Sequence, residues 1–374
     1  MSIQTLPTPC LLLDTSKMER NIDSLRHRLH GFGVPLRPHV KTPKCVPVIT
    51  RALQGQPGGI TVSTLKEAEH LFQAGIRDIL YAVSIVPTKL EAVASLRKRG
   101  ADVSVVLDSM EAAEAIAAAG IRFGTGFPAL IEVDCDGHRA GIRPGDPSLL
   151  RIGGVLSSSP GAELRGVMTH AGSAYACENE AAIRAVGEQE RKAAVDCAHA
   201  LRAAGMPCPV VSVGSTPTAY FSESFEGVTE VRAGTHVFFD LEMVGLGVCR
   251  LEDIAISVLA SVMGHRRERI FVDAGWMALT YDRGTAGQRV DQGYGLVCDL
   301  EGRPMDDLIV VDVNQEHGVI GHRNGGPIDP LPLGTLLRIL PSHCCATASQ
   351  YDSYHLLDAD GHLTGSSWPR FGGW

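Results

Sequence analysis

Residues 102–120 are DVSVVLDSMEAAEAIAAAG, and they contain the unit from which the fold is built. The β-branched run 102–107 predicts a strand, and the Ala- and Glu-rich segment 110–119 predicts a helix that stops at Gly120. Between about residues 35 and 240 this alternation recurs, which is typical of βα units around a parallel sheet. The predicted strands are 36–40, 59–63, 78–84, 102–107, 129–134, 164–169, 209–213 and 229–232. Eight such strands predict a (β/α)8 TIM-type barrel.

The sequence changes its character after residue 240. Before it, further helices are predicted at 65–74, 89–99 and 178–204, with stops at Gly75, Gly100 and Gly205. After it, apolar runs at 254–263, 269–273, 308–313 and 336–340 are separated by Gly, Pro and Asp, which indicates a mostly β domain. The stretch 8–14 also resembles a strand and is a candidate to complete that domain. We therefore predict a barrel over 15–245 and a β-rich domain over 246–374 together with 1–14.

Composition favours small-molecule chemistry. The 374 residues are 44% hydrophobic and 20% charged, as in a globular protein with two substantial cores. A net charge of -8 provides no electrostatic footprint for nucleic acid or an anionic membrane, so neither is expected as a partner. No apolar run approaches the ~18 residues of a membrane helix, and the start lacks a signal-peptide pattern, so a cytoplasmic protein is expected. The ten cysteines are scattered and are expected to be mostly reduced core thiols.

Lys41 stands out at the end of the first predicted strand. It lies in the segment 37–42, RPHVKT, and reacting groups of such barrels come from the C-terminal ends of the strands. A lysine there can form a Schiff base if it is desolvated or lies near other cations, for which His39 and Lys44 are the candidates. From these residues alone, a basic surface segment remains the alternative.

The turns after the last two predicted strands supply candidate phosphate ligands. They contain Gly-Ser-Thr at 214–216 and Gly-Thr at 234–235. Late strands of such barrels commonly bind phosphate through backbone N–H groups and hydroxyls. A lone Gly-Ser-Thr is common in turns, so its weight comes from sharing the barrel end with Lys41. Together these features predict pyridoxal phosphate as the cofactor.

The segment 341–345, PSHCC, is a candidate metal site. In an extended segment the side chains of His343 and Cys345 project to the same side and could share one ion. Imidazole plus thiolate suits zinc, and two protein ligands leave positions for water or substrate. A histidine at a strand end beside buried cysteines is the alternative. Glu316 and His317 also follow an apolar run, where they either reach a site or close a turn.

Several segments, in this order, resemble the fold-type III pyridoxal phosphate enzymes. The resemblance is to the branch that holds D-serine dehydratase, threo-3-hydroxy-D-aspartate dehydratase and metal-dependent D-threonine aldolase, and it covers nearly the whole chain. It implies a barrel like the alanine racemase N-terminal domain, a C-terminal β domain, and a homodimer in which the β domain of one subunit closes the barrel mouth of the other. The segments that carry it are 37–44, 59–69, 136–141, 169–175, 211–218, 230–240, 272–276, 314–318 and 343–347.

The resemblance assigns a role to each candidate residue. It implies that Lys41 carries the cofactor, that Arg139 faces the pyridine nitrogen, and that His343 and Cys345 hold a divalent metal, with zinc, manganese and magnesium all open. The remaining cofactor-binding residues it implies are His170, Tyr175, Ser215, Thr216, Gly234 and Thr235.

The implied function is a lyase acting on a D-3-hydroxy amino acid. Lys41 would remove the α-proton while the metal binds the β-hydroxyl, and β-elimination of water would give a 2-oxo acid and ammonia. Tyr175 and Cys345 match the dehydratases, and the aldolase reaction, which gives glycine and an aldehyde, is the alternative. An alanine-racemase-like isomerase and a single-barrel cofactor-binding protein without turnover are further alternatives. Arg283, His317 and Tyr281 are candidates for reading the distal group of the substrate.

Overall fold

The chain divides into two compact units. The computed structural model describes residues 2–374, and Met1, which belongs to the predicted 1–14 segment, lies outside them. The barrel unit is Leu25–Gly234 with Gly373–Trp374, and the β unit comprises the described residues through Ser24 and Thr235–Gly372. The compact units thus separate at 24/25 and 234/235. The domain limits predicted at 14/15 and 245/246 stay a prediction.

The strands and helices of residues 2–374 follow the predicted order. The strands are β1 (Cys10–Asp14), β2 (Leu36–Pro38), β3 (Ile60–Val62), β4 (Asp78–Ser84), β5 (Asp102–Leu107), β6 (Phe127–Val133), β7 (Ala162–Thr169), β8 (Val210–Val213), β9 (Glu230–Ala233), β10 (Ile256–Arg266), β11 (Arg269–Val272), β12 (Gly295–Cys298), β13 (Pro304–Val313), β14 (Gly318–His322), β15 (Leu336–Pro341), β16 (Ser353–Leu357) and β17 (Leu363–Pro369). The α-helices are α1 (Thr15–Gly31), α2 (Val46–Leu53), α3 (Leu65–Gln73), α4 (Leu90–Lys98), α5 (Met110–Phe123), α6 (Ser148–Ser158), α7 (Glu180–Ala203), α8 (Thr216–Phe221), α9 (Leu241–Gly245), α10 (Trp276–Leu279) and α11 (Cys344–Ala348).

Strands β2 to β9 form the closed sheet of the barrel unit. Their order is β2-β9-β8-β7-β6-β5-β4-β3, and neighbouring strands are parallel. Just beyond β2, His39 bridges to Thr61 of β3, and the Val40 N–H donates to the Thr61 carbonyl oxygen at 2.9 Å, which closes the ring. Every residue of β6 is buried, as expected for a strand covered on both faces. The predicted (β/α)8 barrel is confirmed.

One predicted helix boundary is wrong. Helix α5 continues through Gly120 and ends at Gly124, whose φ of +65° is the left-handed conformation that glycine adopts readily. A Cβ atom at Gly120 would collide with the carbonyl oxygen of Gly161. Gly120 therefore permits close packing within the barrel unit and does not stop the helix.

The β unit contains a nine-stranded sheet, which confirms the predicted β-rich C-terminal domain. Its order is β11-β14-β13-β12-β15-β10-β1-β16-β17. The N-terminal strand β1 pairs antiparallel with β10 and parallel with β16, so it completes this sheet as predicted. The sequence analysis missed β12, β14, β16 and β17, because they are short, contain glycine or, in β17, are largely exposed. Among residues 2–374, no helix combines the length and apolar character needed to cross a membrane.

Candidate cofactor and metal sites

Lys41 lies in a turn and not at the end of a strand. Strand β2 ends at Pro38, two residues before the predicted limit. The backbone then turns, and the Lys44 N–H donates to the Val40 carbonyl oxygen at 3.0 Å. Residues 39 and 40 of the predicted strand 36–40 therefore lie outside β2, although the His39 and Val40 N–H groups still donate to the neighbouring strands before the turn begins. Lys41 is exposed at the tip of that turn.

Neither of the two candidate cations, His39 and Lys44, places an unpaired positive charge beside Lys41. The Nζ atom of Lys44 lies 3.0 Å from Oε1 of the buried Glu67, whose Oε2 also accepts the Ser63 N–H at 2.7 Å. Burial lowers the pKa of His39 well below its ordinary value, and the charge of Lys41 lowers it further, so this imidazole is neutral. The turn is thus fixed by an ion pair to helix α3.

Cationic side chains gather around two neutral imidazoles in the barrel unit. Burial lowers the pKa of His170 to about 3, and the charges of Arg139, Arg232 and Lys41 act in the same direction. The same three charges lower the pKa of His39. The structure therefore brings together the predicted Lys41, Arg139 and His170. It adds Arg232, which the sequence analysis did not assign to the site, and His39, which the sequence analysis considered only as a cation beside Lys41. An anionic cofactor suits this charge.

The hydrogen bond between His170 and Gly214 defines the tautomer of the imidazole. Its Nδ1 lies 3.0 Å from the Gly214 carbonyl oxygen. Because the ring is neutral and a carbonyl can only accept, Nδ1 carries the proton and Nε2 keeps its lone pair. The ring centroid of Tyr175 lies 6.3 Å from that of His170, so this predicted residue joins the same group.

The loop after β8 fits an oxygen-rich ligand. Ser215 begins helix α8, where its Oγ accepts the Thr218 N–H at 3.3 Å and the Thr218 Oγ1 accepts the Ser215 N–H at 3.1 Å. The Oγ1 of Thr216 is buried and has no hydrogen-bond partner among residues 2–374. A buried hydroxyl without a partner is costly. Thr216 therefore fits a site in which a group such as phosphate supplies the partner.

Two predicted site glycines are required by close approach. Gly214 has a φ of +127°, and a Cβ atom there would collide with the carbonyl oxygen of Arg232. At Gly234 a Cβ atom would lie 2.9 Å from Oγ1 of Thr42, next to Lys41. Thr235, the first residue of the C-terminal part of the β unit, has a buried Oγ1 that also lacks a partner within residues 2–374. Its grouping with Thr216 stays a prediction.

The segment that holds the predicted metal pair is not extended. Strand β15 ends at Pro341, and helix α11 starts at Cys344 with His343 at its N-cap. The predicted extended geometry over 341–345 is wrong, because the Cys344 N–H donates to Oδ2 of Asp240 at 2.8 Å and starts a helix. The side chains of His343 and Cys345 nevertheless hydrogen-bond each other. The structure thus brings the predicted pair together across a helix N-terminus.

Asp282 orients His343. Its Oδ2 lies 2.6 Å from Nδ1 of His343. Burial lowers the pKa of His343, but the opposing charges and hydrogen bonds of Cys345 and Asp282 raise it to about 12. Since Nδ1 donates to Asp282, Nε2 is the ring nitrogen that remains for a metal, which is the usual arrangement of a carboxylate-supported histidine ligand.

Two further carboxyl groups lie beside His343. Ligand atoms of Asp240, Glu242 and His343 all lie within 4.8 Å of one another. The oxygens of Asp240 already accept the Met243 N–H at 3.0 Å and the Cys344 N–H at 2.8 Å, so Asp240 fixes the backbone of α9 and α11. Burial raises the pKa of Glu242 to about 8, and the charge of Asp240 contributes. The donor set of imidazole, thiolate and carboxylates fits a divalent cation.

The sequence analysis assigned no role to Asp240, Glu242 or Asp282. Asp240 carried a signal, since Asp before a short helix is a typical N-cap. Asp282 lies in an irregular segment without such a signal.

The remaining candidates lie on the surface of the β unit. The Asn314 N–H donates to the carbonyl oxygen of His317 at 2.8 Å, so His317 closes the exposed turn between β13 and β14. Tyr281 stacks on Trp276, with ring centroids 5.3 Å apart. Arg283 lies over the ring of Tyr294 at 5.4 Å and pairs with Asp291. Their role in reading the substrate stays a prediction.

Comparison with known proteins agrees with this two-part arrangement. Residues 13–242 match the family described as alanine racemase, N-terminal domain, and residues 255–357 match the putative serine dehydratase domain. The chain is 51% identical over 380 residues to D-threo-3-hydroxyaspartate dehydratase of Delftia sp. (strain HT23), covering 100% of this chain and 99% of that protein. It is 30% identical to D-serine dehydratase of Dictyostelium discoideum, covering 98% of both.

Solved structures show the same relationship. The structure of the Delftia dehydratase superimposes with a TM-score of 0.97 and covers 100% of both chains at 51% identity. A histidine-to-alanine mutant and a cysteine-to-alanine mutant in the metal-free form also match at 0.97, with 50% identity and 100% of this chain covered, against 97% and 100% of theirs. D-threonine aldolase from Filomicrobium marinum matches at 0.85 and 26% identity, covering 99% of this chain and 96% of that chain. The chain belongs to the fold-type III pyridoxal phosphate lyases of the D-serine dehydratase and D-threonine aldolase family.

Proposed function

We propose that this protein is a lyase that uses pyridoxal phosphate and a divalent metal to eliminate water from D-3-hydroxy amino acids. The observation that carries the proposal is the contact of His343 with Cys345 in a chain that matches a D-threo-3-hydroxyaspartate dehydratase over its full length. In the mutants of that dehydratase, the substituted histidine and cysteine are also separated by one residue, and the cysteine mutant is metal-free. The expected substrates are threo-3-hydroxy-D-aspartate, which gives oxaloacetate, and D-serine, which gives pyruvate.

The barrel unit supplies all the proposed cofactor ligands except Thr235, which belongs to the β unit. Pyridoxal phosphate, when bound, supplies a ring that withdraws electrons from the α-carbon of the substrate. Thr216 Oγ1 would donate to the phosphate and gain the partner it lacks among the described residues. The Arg139 guanidinium would face the pyridine nitrogen and disfavour its protonation. The full proposed set is Lys41, Arg139, His170, Tyr175, Ser215, Thr216, Gly234 and Thr235.

The β unit supplies the proposed metal ligands, His343 and Cys345. The metal, when bound, supplies a Lewis acid for the departing β-hydroxyl. Asp282 holds His343 through Nδ1, and Asp240 holds the first turn of the helix that carries Cys345. A thiolate with an imidazole favours zinc, and manganese and magnesium remain candidates.

Lys41 is the proposed base. Its Nζ would accept the α-proton, and the β-hydroxyl would leave with one proton as water. The released amino-enoate takes up one water and gives the 2-oxo acid and ammonia, so water is returned and the net products are oxo acid and ammonia. The turn held by the Lys44–Glu67 ion pair limits the positions that this amine can reach.

Aldol cleavage to glycine and an aldehyde is the second candidate. The similarity to D-threonine aldolase at a TM-score of 0.85 favours it. That reaction needs a base beside the β-hydroxyl, and Glu242, near His343 in the β unit, is the group we propose for it.

Incubation with D-threonine distinguishes the two reactions. Purified protein loaded with pyridoxal phosphate and Zn²⁺ or Mn²⁺ should give 2-oxobutyrate and ammonia, whereas glycine with acetaldehyde and no oxo acid would overturn the dehydratase proposal. The L-enantiomer and a Lys41→Ala variant are controls and should give neither product. Loss of activity in EDTA, restored by Zn²⁺ or Mn²⁺, would exclude a metal-independent isomerase. A homodimer and a cytoplasmic location remain expectations from the family resemblance and the sequence.

A further inference from the structure

Glu190 is a fully buried carboxyl group on helix α7 that the proposed reaction does not use. It is 1% exposed, whereas Glu188, two residues before it, is exposed to solvent. Burial raises the pKa of Glu190, although hydrogen bonds and the charge of Arg232 act in the opposite direction. A buried carboxyl group is costly unless it is well hydrogen-bonded. The hydrogen-bond partners of Glu190 therefore indicate the role of this buried carboxyl group.

Three donors from separate segments meet at Glu190. Its Oε1 accepts the Ala171 N–H at 3.0 Å and the Gly214 N–H at 3.0 Å. Its Oε2 accepts the Thr218 hydroxyl at 2.8 Å. Ala171 follows strand β7, Gly214 follows strand β8, and Thr218 lies in helix α8. One side chain thus ties together two neighbouring strand ends and the helix after the second.

These segments hold candidate cofactor ligands. Ala171 directly follows His170, and Gly214 directly precedes Ser215. The Thr218 hydroxyl that donates to Glu190 also accepts the Ser215 N–H at 3.1 Å. A substitution at Glu190 would therefore alter the hydrogen bonds that position the backbone next to His170 and Ser215.

The backbone conformation of Gly214 is held by hydrogen bonds and not by a side chain. It has no side chain to restrict its backbone, and its φ of +127° is one that other residues rarely adopt. Its N–H donates to Glu190, and its carbonyl oxygen accepts Nδ1 of His170 at 3.0 Å. Both peptide groups that flank Gly214 are thereby held, one of them by Glu190.

We propose that Glu190 is a positioning residue of the cofactor site, which fixes the loop that binds the phosphate of pyridoxal phosphate. The inference rests on the proposed function. Glu190 contacts the loop backbone and acts through Ser215, Thr216 and His170. An apolar side chain of similar length would leave the Ala171 and Gly214 N–H groups without their acceptor, and the loop would lose its fixed geometry.

The test compares the binding of two cofactors that differ only in the phosphate. Dissociation constants of pyridoxal phosphate and pyridoxal are measured by equilibrium dialysis for the full-length protein and its variants. In Glu190→Met the preference for the phosphorylated form should fall at least about tenfold, because the phosphate loop is no longer held. Glu190→Gln keeps an acceptor oxygen for both backbone N–H groups and should stay within about threefold of the unaltered protein.

A matched control separates positioning from stability. Leu201 is fully buried on the same helix, next to Gly153 and Met206, and Leu201→Ala should lower the melting temperature and leave the phosphate preference unchanged. If Glu190→Met does not fold, Glu190→Asp is measured instead, since its shorter side chain draws the carboxylate away from both N–H groups. An unchanged preference in the folded variant would show that Glu190 is only structural. If the unaltered protein itself does not bind pyridoxal phosphate, the proposed function fails, and not this inference alone.

Discussion

The hydrogen bond between Asp282 and His343 provides a direct test of the metal site. We expect Asp282→Ala to weaken Zn²⁺ binding about tenfold, because the imidazole loses the group that fixes its orientation and its tautomer. Asp282→Asn keeps an oxygen that accepts the Nδ1 proton and should weaken binding less, by under about fivefold. The readout is metal affinity, so the test does not depend on the identity of the substrate.

The magnitude follows from the geometry. The two atoms, Oδ2 of Asp282 and Nδ1 of His343, are 2.6 Å apart. Hydrogen bonds to charged groups contribute roughly 1.5–3 kcal/mol. The Asp282 side chain is 41% exposed, so solvent screening puts the contribution at the lower end of that range. Since about 1.4 kcal/mol corresponds to a factor of ten in a dissociation constant, a tenfold loss is expected.

Competition with a chromophoric chelator measures the affinity. Metal-depleted protein that carries pyridoxal phosphate is titrated with Zn²⁺ in the presence of the chelator. Asp291→Asn is the control, because Asp291 lies in the same segment and pairs with Arg283, and it should bind Zn²⁺ as the unaltered protein does. Asp282→Ala protein with an unaltered melting temperature and unaltered Zn²⁺ affinity would refute this role of Asp282.

Three further predictions concern the barrel unit. Lys41→Ala should abolish covalent attachment of pyridoxal phosphate after borohydride reduction, and a labelled peptide elsewhere in the chain, seen by mass spectrometry, would contradict the assignment. Gly214→Ala should lower the free energy of unfolding, measured with urea, by about 1–3 kcal/mol, because alanine is strained at this φ and its Cβ would collide with Arg232. An unchanged free energy of unfolding would show that the loop adapts to the alanine. Burial raises the pKa of Asp102, but the hydrogen bond and charge of Arg165 lower it below its ordinary value, so its stabilisation is present above the unfolded pKa of about 3.9 and is lost as the pH falls through the folded value. Asp102→Asn should therefore cost about 0.5–1 kcal/mol at pH 7 and less at about pH 3, and a cost that does not shrink in acid would contradict the ion-pair explanation.

The barrel was predictable because its pattern is local. Strands β4 and β5 occur at the predicted limits, since an apolar β-branched run followed by a helix indicates a buried strand by itself. Limits failed where other segments decide them. The regular strand β2 ends at Pro38, and after Val40 the chain enters a turn closed by the hydrogen bond from Lys44 to Val40. Gly120 lies within α5 because the close approach of Gly161 requires a glycine there, and not because the helix ends.

The candidate site divides in the same way. The sequence named Lys41, His343 and Cys345, whose types and positions carry their chemistry, although it assigned the wrong local geometry to the metal pair. It left out Glu190, although the sequence contained a signal for it. Residue 190 falls in the buried stripe of α7, which comprises positions 183, 187, 190, 194, 197 and 201. The stripe shows that this carboxyl group is buried, but not that it meets Ala171, Gly214 and Thr218.

The sequence by itself determined the order of the βα units, the change to a β-rich second part and the residue types of the reaction. The tertiary structure alone decided which groups support them: Glu190 behind the phosphate loop, Asp282 behind His343, and Asp240 at the start of α11. The physical reason is that strand and helix patterns come from the burial of neighbouring residues in the chain. A supporting hydrogen bond instead joins residues that are distant in sequence. Asp240 and Cys344 are 104 positions apart, and only folding brings them within 3 Å.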